Sequence, residues 1–479
     1  MSQLPSVCVV GAGSSGIAAA KALHERGIPF DCFEKSDRVG GNWVFGNKNG
    51  MSSAYRSLHI NTSRERMEYA DFPMPKSYPD FPHHSQIAAY FEDYVDRFGF
   101  RDRIRFETGV EHCAREPDGT WTIALEGGGT HRYDALVVAN GHHWDPRWPE
   151  PPYPGRFDGE QTHAHFYLDN EPFKGRRVLV VGIGNSAMDI AVESSFVAER
   201  TWLSSRRGAH IIPKYLFGRP LDQIGVNSLT GALPWAFRKA IFTTFYRVGV
   251  GDMEHYGLPR PDHDLGDAHP TISADFLNRV AHGEVTWKPN VAELQGDRVR
   301  FEDGSVEQVD AIVWCTGYKV TFPFFDADLI SAPDNDLPLF RRVFHPELDN
   351  VFFVGLLQPL GAIMPLAEAQ GQWIAAYLRG EYALPDPGSL RADMERERAR
   401  MFKRYVASKR HTMQVDFDNY LYALARERRA GARRVREHGF RLPVPARAGA
   451  GGGHVAADGG SRIRAAGGGS PASSPAAAA

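Results

Sequence analysis

The sequence predicts an α/β fold with two nucleotide-binding units, because one pattern of strand, glycine-rich turn and helix occurs twice. The first copy, Gly11-Ala12-Gly13-Ser14-Ser15-Gly16, follows an apolar strand at residues 7–10. The second copy, Gly182-Ile183-Gly184-Asn185-Ser186-Ala187, follows another apolar strand at residues 178–181. A GxGxxG/A turn between a strand and a helix is typical of Rossmann-like dinucleotide-binding domains. Two copies in this context predict two bound nucleotides.

The glycines of the first turn have separate predicted roles. Gly11 allows the tight turn, Gly13 lets the backbone approach a pyrophosphate, and Gly16 lets the helix pack closely on the strand. The phosphates would then bind the free amides at the helix N-terminus, where Ser15 lies. We assign the matching roles in the second unit to four residues: Gly182, Gly184, Asn185 and Ser186.

The two units differ in the residues that would face the ribose. The strand at 30–33 ends at Glu34, whose carboxylate can accept hydrogen bonds from both hydroxyls of an adenosine ribose. The corresponding strand of the second unit, at 201–203, is followed by Ser204-Ser205-Arg206-Arg207. Two guanidinium groups and no acid suit a 2′-phosphate, so we assign Ser205, Arg206 and Arg207 to NADPH.

The composition is that of a globular protein that does not bind nucleic acid. Of 479 residues, 42% are hydrophobic and 24% are charged, and a net charge of −3 provides no field that would attract nucleic acid. No apolar run reaches the roughly 18 residues needed to span a bilayer, and no export signal precedes the first strand. We therefore expect a cytoplasmic protein without a transmembrane anchor. The four cysteines lack CxxC spacing, so we predict core residues and no metal site.

A segment between the two units carries a family-specific pattern. Residues 157–167, Phe-Asp-Gly-Glu-Gln-Thr-His-Ala-His-Phe-Tyr, match FxGxxxHxxxY, the identifying sequence of the flavin-containing monooxygenases. Residues 34–43 resemble the FAD segment of that family, and residues 203–208 resemble its NADPH segment. With further similarity at 61–63, 316–318 and 358–365, the resemblance covers most of residues 5–425.

The resemblance implies FAD and NADPH as cofactors, and O2 and a small nucleophilic molecule as substrates. NADPH would reduce FAD, and oxygen would add at the flavin C4a position to give a hydroperoxide that oxygenates an amine nitrogen or a sulfide sulfur. Such chemistry needs a dry pocket and oriented hydrogen bonds more than an acid–base pair. Asn61 matches the active-site asparagine of the family, and we predict it to be the catalytic residue and a cofactor contact.

The resemblance also assigns further side chains near the cofactors. Trp43 would lie beside the flavin, and Gln358 would hydrogen-bond to its ring. We predict His163 to be a structural linker residue rather than a base. The remaining cofactor residues that the resemblance implies are Lys35, Gly41, Thr62, Thr316 and Gly317.

Strand order and proline content predict how the domains follow one another. Proline-rich residues 148–154 are typical of a crossing between domains, and the apolar stretch at 352–355 suggests a return to the first unit. We predict an FAD-binding domain at 1–160 and 319–442, which includes C-terminal helices, with an NADPH-binding domain inserted at 161–318. Residues 443–479 are dominated by Ala, Gly, Ser and Pro and are predicted to be a disordered tail.

Two other functions remain open from the sequence. A Baeyer–Villiger monooxygenase also carries two such nucleotide units, but its identifying sequence usually ends in Trp, where this chain has Tyr167. The other alternative is a flavin-dependent NADPH oxidase or reductase that transfers no oxygen. The physiological substrate, the oligomeric state, and the roles of residues 208–269 and of the tail are not determined, although a homo-oligomer is possible.

Overall fold

The computed structural model describes residues 3–224, 235–268, 271–404, 413–439 and 442–447. Its first sheet consists of five parallel strands. In spatial order they are Val351–Phe353, Ala135–Val138, Val7–Val10, Phe30–Phe33 and Ile104–Arg105. The sheet is covered on both faces, which explains why its strands are continuous apolar runs rather than alternating ones.

Alternate residues of the first strand enter two different cores. Val7 and Val9 pack with the helices Ser14–Glu25, His84–Phe98 and Met364–Leu378. Cys8 and Val10 point to the opposite face, as the two-residue period of a strand requires. On that face lies an antiparallel sheet of three strands, Val110–Arg115, Trp121–Leu125 and Thr130–Tyr133.

The second sheet repeats this architecture. Its five parallel strands are, in spatial order, Glu160–His163, Ala311–Trp314, Arg177–Val181, Arg200–Ser204 and Val285–Lys288. One face packs against the helices Asn185–Ser194 and Phe276–Ala281. The other packs against a mixed sheet of four strands, Gly155–Phe157, Val291–Gly296, Arg298–Phe301 and Val306–Gln308. The predicted fold class, two Rossmann-like units, is confirmed.

The chain leaves and re-enters the first unit at neighbouring points. The strand Asp145–Pro146 on the way out pairs antiparallel with Tyr318–Lys319 on the way back. All five strands of the second sheet lie in sequence between these two segments. The domain boundaries near residues 160 and 318 themselves stay predictions.

Shorter elements complete the described residues. The remaining helices are Arg64–Met67, Trp235–Gly249, Pro387–Arg404 and Phe417–His438. The 3-10 turns are Gly41–Trp43, Arg101–Arg103, Ala164–Phe166, Glu171–Phe173, Leu221–Gln223, Met253–Tyr256 and Pro333–Asn335. Two-stranded pairs join Ile211–Ile212 to Thr271–Ile272, Tyr215–Leu216 to Arg219–Pro220, and Gln358–Leu360 to Gln414–Asp416.

Several sequence predictions concern the periphery of this fold. The four cysteines are unpaired, and Cys8, Cys32 and Cys113 are fully buried, whereas Cys315 is half-buried. Among the described helices, none is both long and apolar enough to cross a membrane. Of the predicted disordered tail, residues 443–447 are described: Val444 is buried and the N–H of Arg447 donates to a carboxylate oxygen of Asp134. The rest of the tail, from position 448 onward, lies outside the described residues.

Candidate active site

The main cavity, of about 860 Å³, opens at the carboxyl ends of the strands of the first sheet. Residues that follow three of those strands line it: Gly11, Glu34 and Asn140. The opposite wall comes from the second unit and includes Asn185 and Lys214. In doubly wound α/β folds, ligands bind at this edge of the sheet, so the cavity is the candidate site.

The first glycine turn is shaped by very close backbone contacts. Gly11 has a φ of +95°, and its N–H donates to the carbonyl of Phe33 at 2.8 Å. A Cβ atom at Gly16 would lie 1.8 Å from the carbonyl oxygen of Gly11. The helix that starts at Ser14 has no side-chain cap, which leaves its first N–H groups for a ligand. This open cradle fits a pyrophosphate, as the sequence predicts.

Besides its predicted contact with a ribose, Glu34 forms hydrogen bonds within the protein that the sequence did not reveal. The side chain is 5% exposed, and its two carboxylate oxygens accept hydrogen bonds from the backbone N–H groups of Ala12 and Ser36, each at 2.7 Å. Burial raises the pKa of the carboxyl, while these two amide bonds act to lower it. Glu34 therefore braces the glycine turn, and each oxygen keeps a lone pair for a ribose hydroxyl.

The second glycine turn is also closed by a tight backbone contact. Gly182 has a φ of +139°, and a Cβ there would lie 2.5 Å from the carbonyl oxygen of Cys315. The helix Asn185–Ser194 has Gly184 as its N-cap residue, so it likewise has no side-chain cap. Ser186 lies in its first turn. Asn185 lines the cavity, although its side-chain oxygen already accepts from the N–H of Ile272 at 2.8 Å. Its amide N–H2 group is the part that can reach a ligand.

The predicted 2′-phosphate residues lie outside the main cavity wall. The Ser205 hydroxyl donates to the carbonyl of Arg207 at 2.9 Å and accepts from the indole N–H of Trp287 at 3.0 Å. This fixes a turn from which Arg206 and Arg207 extend as exposed side chains. Arg207 Nε lies 3.4 Å from a carboxylate oxygen of Asp262, an acid that sequence reasoning did not place here.

Thr316 and Gly317 do not line the cavity and instead contact Arg147, which follows the outgoing strand Asp145–Pro146. The Thr316 hydroxyl donates to the carbonyl of Arg147, and the Arg147 N–H donates to the carbonyl of Gly317 at 2.9 Å. These hydrogen bonds therefore connect the segment that leaves the first unit, at Arg147, with the segment that returns to it, at Thr316 and Gly317.

The other predicted cofactor residues line the cavity of the first unit. They are Gly13, Ser15, Lys35, Gly41, Trp43, Asn61, Thr62 and Gln358. Lys35 forms an ion pair with Glu126 at 2.7 Å at the end of the cavity near Glu34. Gly41 faces the first turn, since a Cβ atom there would lie 3.1 Å from the Cα of Gly13. For the Asn61 carboxamide we find no hydrogen-bond partner within the described part of the chain, so its N–H2 group is available to a ligand.

Three further polar residues in the wall were missed by sequence reasoning. His142 follows the strand Ala135–Val138, and burial lowers its pKa to about 4, so it is neutral at physiological pH. Its place after a parallel strand was a usable signal. Lys214 and Asp222 also line the cavity, and they are 153 and 161 residues beyond Asn61 in the sequence.

His163, in the identifying sequence, is buried away from the cavity. It is fully buried, and its ring lies 5.6 Å from that of Trp148 and 5.5 Å from that of Tyr318. Its Nδ1 accepts from the N–H of His165 at 3.0 Å. Burial lowers its pKa to about 4, so the ring stays neutral. This geometry agrees with a linker role, because His163 does not line the cavity.

Comparison with known proteins decides the family. Residues 5–432 match the family model described as flavin-binding monooxygenase-like. The chain belongs to this family. Rat flavin-containing monooxygenase 5 is 37% identical over 437 residues, which cover 88% of this chain and 82% of the rat protein. Rat dimethylaniline monooxygenase [N-oxide-forming] 2 is 33% identical, with the same coverage of 88% and 82%.

A solved structure agrees with this assignment. S-allyl-L-cysteine S-oxygenase from Allium sativum has a TM-score of 0.67 and 26% identity, and the match covers 91% of this chain and 94% of that one. As a member of the flavin-binding monooxygenase-like family, the chain is a FAD-dependent monooxygenase that uses NADPH, O2 and a small-molecule substrate. The predicted family, enzyme class and cofactors are confirmed.

Proposed function

We propose that this flavin-binding monooxygenase oxygenates a soft nucleophile, either an amine nitrogen or a sulfide sulfur. The observation that carries the proposal is the position of Asn61, whose uncharged carboxamide lies in the cavity wall. Bound FAD, once reduced by NADPH, would activate O2 so that one of its oxygen atoms enters the substrate and the other leaves as water. An amide donor keeps its hydrogen-bonding capacity at every pH, so it can orient the reacting oxygen without itself taking up or losing a proton.

An apolar part of the cavity wall favours an apolar substrate. Leu216, Leu221, Ile241 and Phe242, all from the second unit, line this part. Apolar side chains exclude water, and a dry site limits loss of the activated oxygen as hydrogen peroxide. An uncharged amine or thioether with apolar substituents matches this lining.

We further propose the cofactor contacts of each unit. In the first unit the turn at Gly11, Gly13 and Gly16 would hold the FAD pyrophosphate, and Glu34 would hold its ribose. The flavin end would be bounded by Trp43, Asn61, Thr62 and Gln358. In the second unit the turn at Gly182 and Gly184 would hold the NADPH pyrophosphate, with Asn185 and Ser186 at the helix start.

Lys214 favours a second candidate, Baeyer–Villiger oxygenation of a ketone. Its ammonium lies in the cavity wall and donates to the carbonyl of Ile60, next to Asn61, at 3.1 Å. Ketone oxygenation builds up negative charge at the reacting oxygen, and a nearby cation stabilises such charge. Burial lowers the pKa of Lys214, whereas the nearby Asp189 acts to raise it.

A product assay tests the two candidates directly. The purified protein with FAD and NADPH is given a tertiary amine, a thioether or a cyclic ketone of similar size. We expect N-oxide or sulfoxide to account for most of the NADPH oxidised. A lactone as the main product would instead support the second candidate. Hydrogen peroxide with every substrate would contradict both and identify an oxidase.

Arg206 and Arg207 are proposed to bind the 2′-phosphate of NADPH. A charge-assisted hydrogen bond contributes about 1.5–3 kcal/mol, and exposure reduces that value, so we expect Arg206→Ala to raise the KM for NADPH about tenfold. The effect of Arg207→Ala should be smaller because Asp262 already shares its charge. The KM for NADH should change little in both variants.

Arg200→Ala provides the matched control. Arg200 is exposed at the start of the strand Arg200–Ser204, at the end opposite Arg206. In steady-state kinetics, the KM values of this variant for NADPH and for NADH should equal those of the wild type. Equal losses for NADPH and NADH in Arg206→Ala would show that Arg206 does not recognise the phosphate.

A further inference from the structure

A short hairpin of the second unit reaches across to the first. It consists of the strands Tyr215–Leu216 and Arg219–Pro220, followed by the 3-10 turn Leu221–Gln223. The N–H of Leu221 donates to the carbonyl of Lys214 at 2.9 Å and closes it. Residues 214–223, called here the 214–223 hairpin, therefore present Lys214 and Asp222 side by side at its open end.

The 214–223 hairpin holds the backbone on both sides of Asn61. Lys214 Nζ donates to the carbonyl of Ile60 at 3.1 Å. On the other side the N–H of Ser63 donates to a carboxylate oxygen of Asp222 at 2.6 Å, and the side chain of Gln223 donates to the Ser63 hydroxyl at 3.1 Å. Ile60 and Ser63 are 1% and 0% exposed, so water cannot readily replace these partners.

The same hairpin also packs against residues 80–82, which contact residues 60–64 as well. The Tyr215 hydroxyl donates to Asp80 at 2.6 Å, and its ring meets that of Phe81 edge-on at 5.4 Å. The backbone of residues 80–82 in turn accepts from the N–H groups of Ile60 and Arg64, at 3.0 and 2.7 Å. Residues 60–63 therefore lie between the 214–223 hairpin and residues 80–82, and these two segments also contact each other through Tyr215.

The Asp222 contact is the shortest that the hairpin makes with residues 60–63. A carboxylate that accepts from a backbone N–H makes a charge-assisted bond, and the low dielectric of a buried site strengthens it. Burial raises the pKa of Asp222, while its bonds to Ser63 act to lower it. Asp222 and Ser63 are 159 residues apart in sequence, so this bond depends on the docking of the second unit onto the first.

We infer that the 214–223 hairpin positions Asn61, with Asp222 and Gln223 as positioning residues. This inference rests on the proposed role of Asn61. Because the hairpin belongs to the unit with the second glycine turn, it gives that unit a direct mechanical connection to the flavin side of the cavity. Displacement of the hairpin would move the Asn61 carboxamide while the first glycine turn and Glu34, which would hold the FAD pyrophosphate and ribose, stay in place.

Hydrogen–deuterium exchange of the cofactor-free full-length protein tests the contact itself. Loss of a charge-assisted bond should speed exchange of the Ser63 amide about tenfold in Asp222→Ala, and less in Gln223→Ala. Arg219→Ala is the matched control, since Arg219 is exposed on the same hairpin and outside the cavity wall. Unchanged exchange in Asp222→Ala would overturn the inference.

A double-mutant cycle with Asn61→Ala separates positioning from general stability. The measured quantity is hydrogen peroxide released per NADPH oxidised, with a saturating amine or thioether substrate. If the hairpin acts through Asn61, Asp222→Ala should raise this ratio in the wild-type background and have no further effect in Asn61→Ala. Asp222→Asn, which keeps an acceptor for the Ser63 N–H, should restore most of the coupling.

The two failures are distinguishable. If Asn61→Ala itself leaves the peroxide ratio unchanged, the proposed role of Asn61 is wrong. If Asn61→Ala raises the ratio while Asp222→Ala does not, or if the two effects add, the role of Asn61 stands and the positioning inference fails.

Discussion

Replacement of Gly16 by alanine is expected to destabilise the first unit and to yield protein that does not retain FAD. The new Cβ atom would lie 1.8 Å from the carbonyl oxygen of Gly11 and 2.8 Å from its carbonyl carbon. Both are backbone atoms of the tight turn, so neither can move aside as a flexible side chain would. Overpacking typically costs about 1–3 kcal/mol, and a clash this short should reach or exceed the upper end. Thermal unfolding of the apoprotein and FAD content per chain provide the measurements.

Gly13→Ala is the matched variant that separates folding from binding. The nearest atom to a Cβ at Gly13 is the Cα of Gly41 at 3.7 Å, an ordinary contact, and the backbone φ of −71° suits alanine. We expect the apoprotein to unfold at nearly the wild-type temperature, while the added methyl group blocks the approach of the pyrophosphate and weakens FAD binding. Wild-type FAD affinity in Gly13→Ala would show that the pyrophosphate lies elsewhere.

Asn61→Ala is expected to separate NADPH oxidation from oxygen transfer. Removal of one oriented donor from a site of developing charge costs about 10²–10³-fold in rate, so product per NADPH should fall at least about tenfold, with hydrogen peroxide released instead. FAD content and the rate of flavin reduction by NADPH should stay within about twofold of wild type, because the main FAD contacts proposed above are at the glycine turn and Glu34. The two products and NADPH are quantified in the same reaction.

A second amide in the cavity wall provides the control for that experiment. Asn49 also lines the cavity but has no role in the proposed reaction, and its side-chain oxygen accepts from the N–H of Met51 at 2.9 Å. Asn49→Ala should therefore uncouple the enzyme far less than Asn61→Ala. If Asn61→Ala forms as much product per NADPH as the wild type, Asn61 has no role in oxygen transfer. The main support for the proposed function is then lost.

Much of the fold could be predicted because its signals are local. The apolar runs at 7–10 and 178–181 are buried strands, and each glycine turn starts a helix where the sequence predicts one. Glu34 was found from its distance to the first turn, since strand–turn–helix geometry fixes where the next strand ends. The hydrogen bond from the Ala12 N–H to the same carboxylate could not be predicted, because every non-proline residue carries a backbone N–H and the residue type gives no sign of the contact.

The sequence by itself determined the two nucleotide-binding units and the charge difference between Glu34 and Arg206–Arg207, because neighbouring residues set these features. Its resemblance to the family supplied the candidate asparagine. Only the tertiary structure decided what surrounds Asn61. Lys214, Asp222 and Gln223 reach residues 60–63 from 154 to 160 positions away. Such contacts depend on how two separately folded sheets dock, and the docking is set by the summed burial and hydrogen bonding of many surfaces, which no local pattern records.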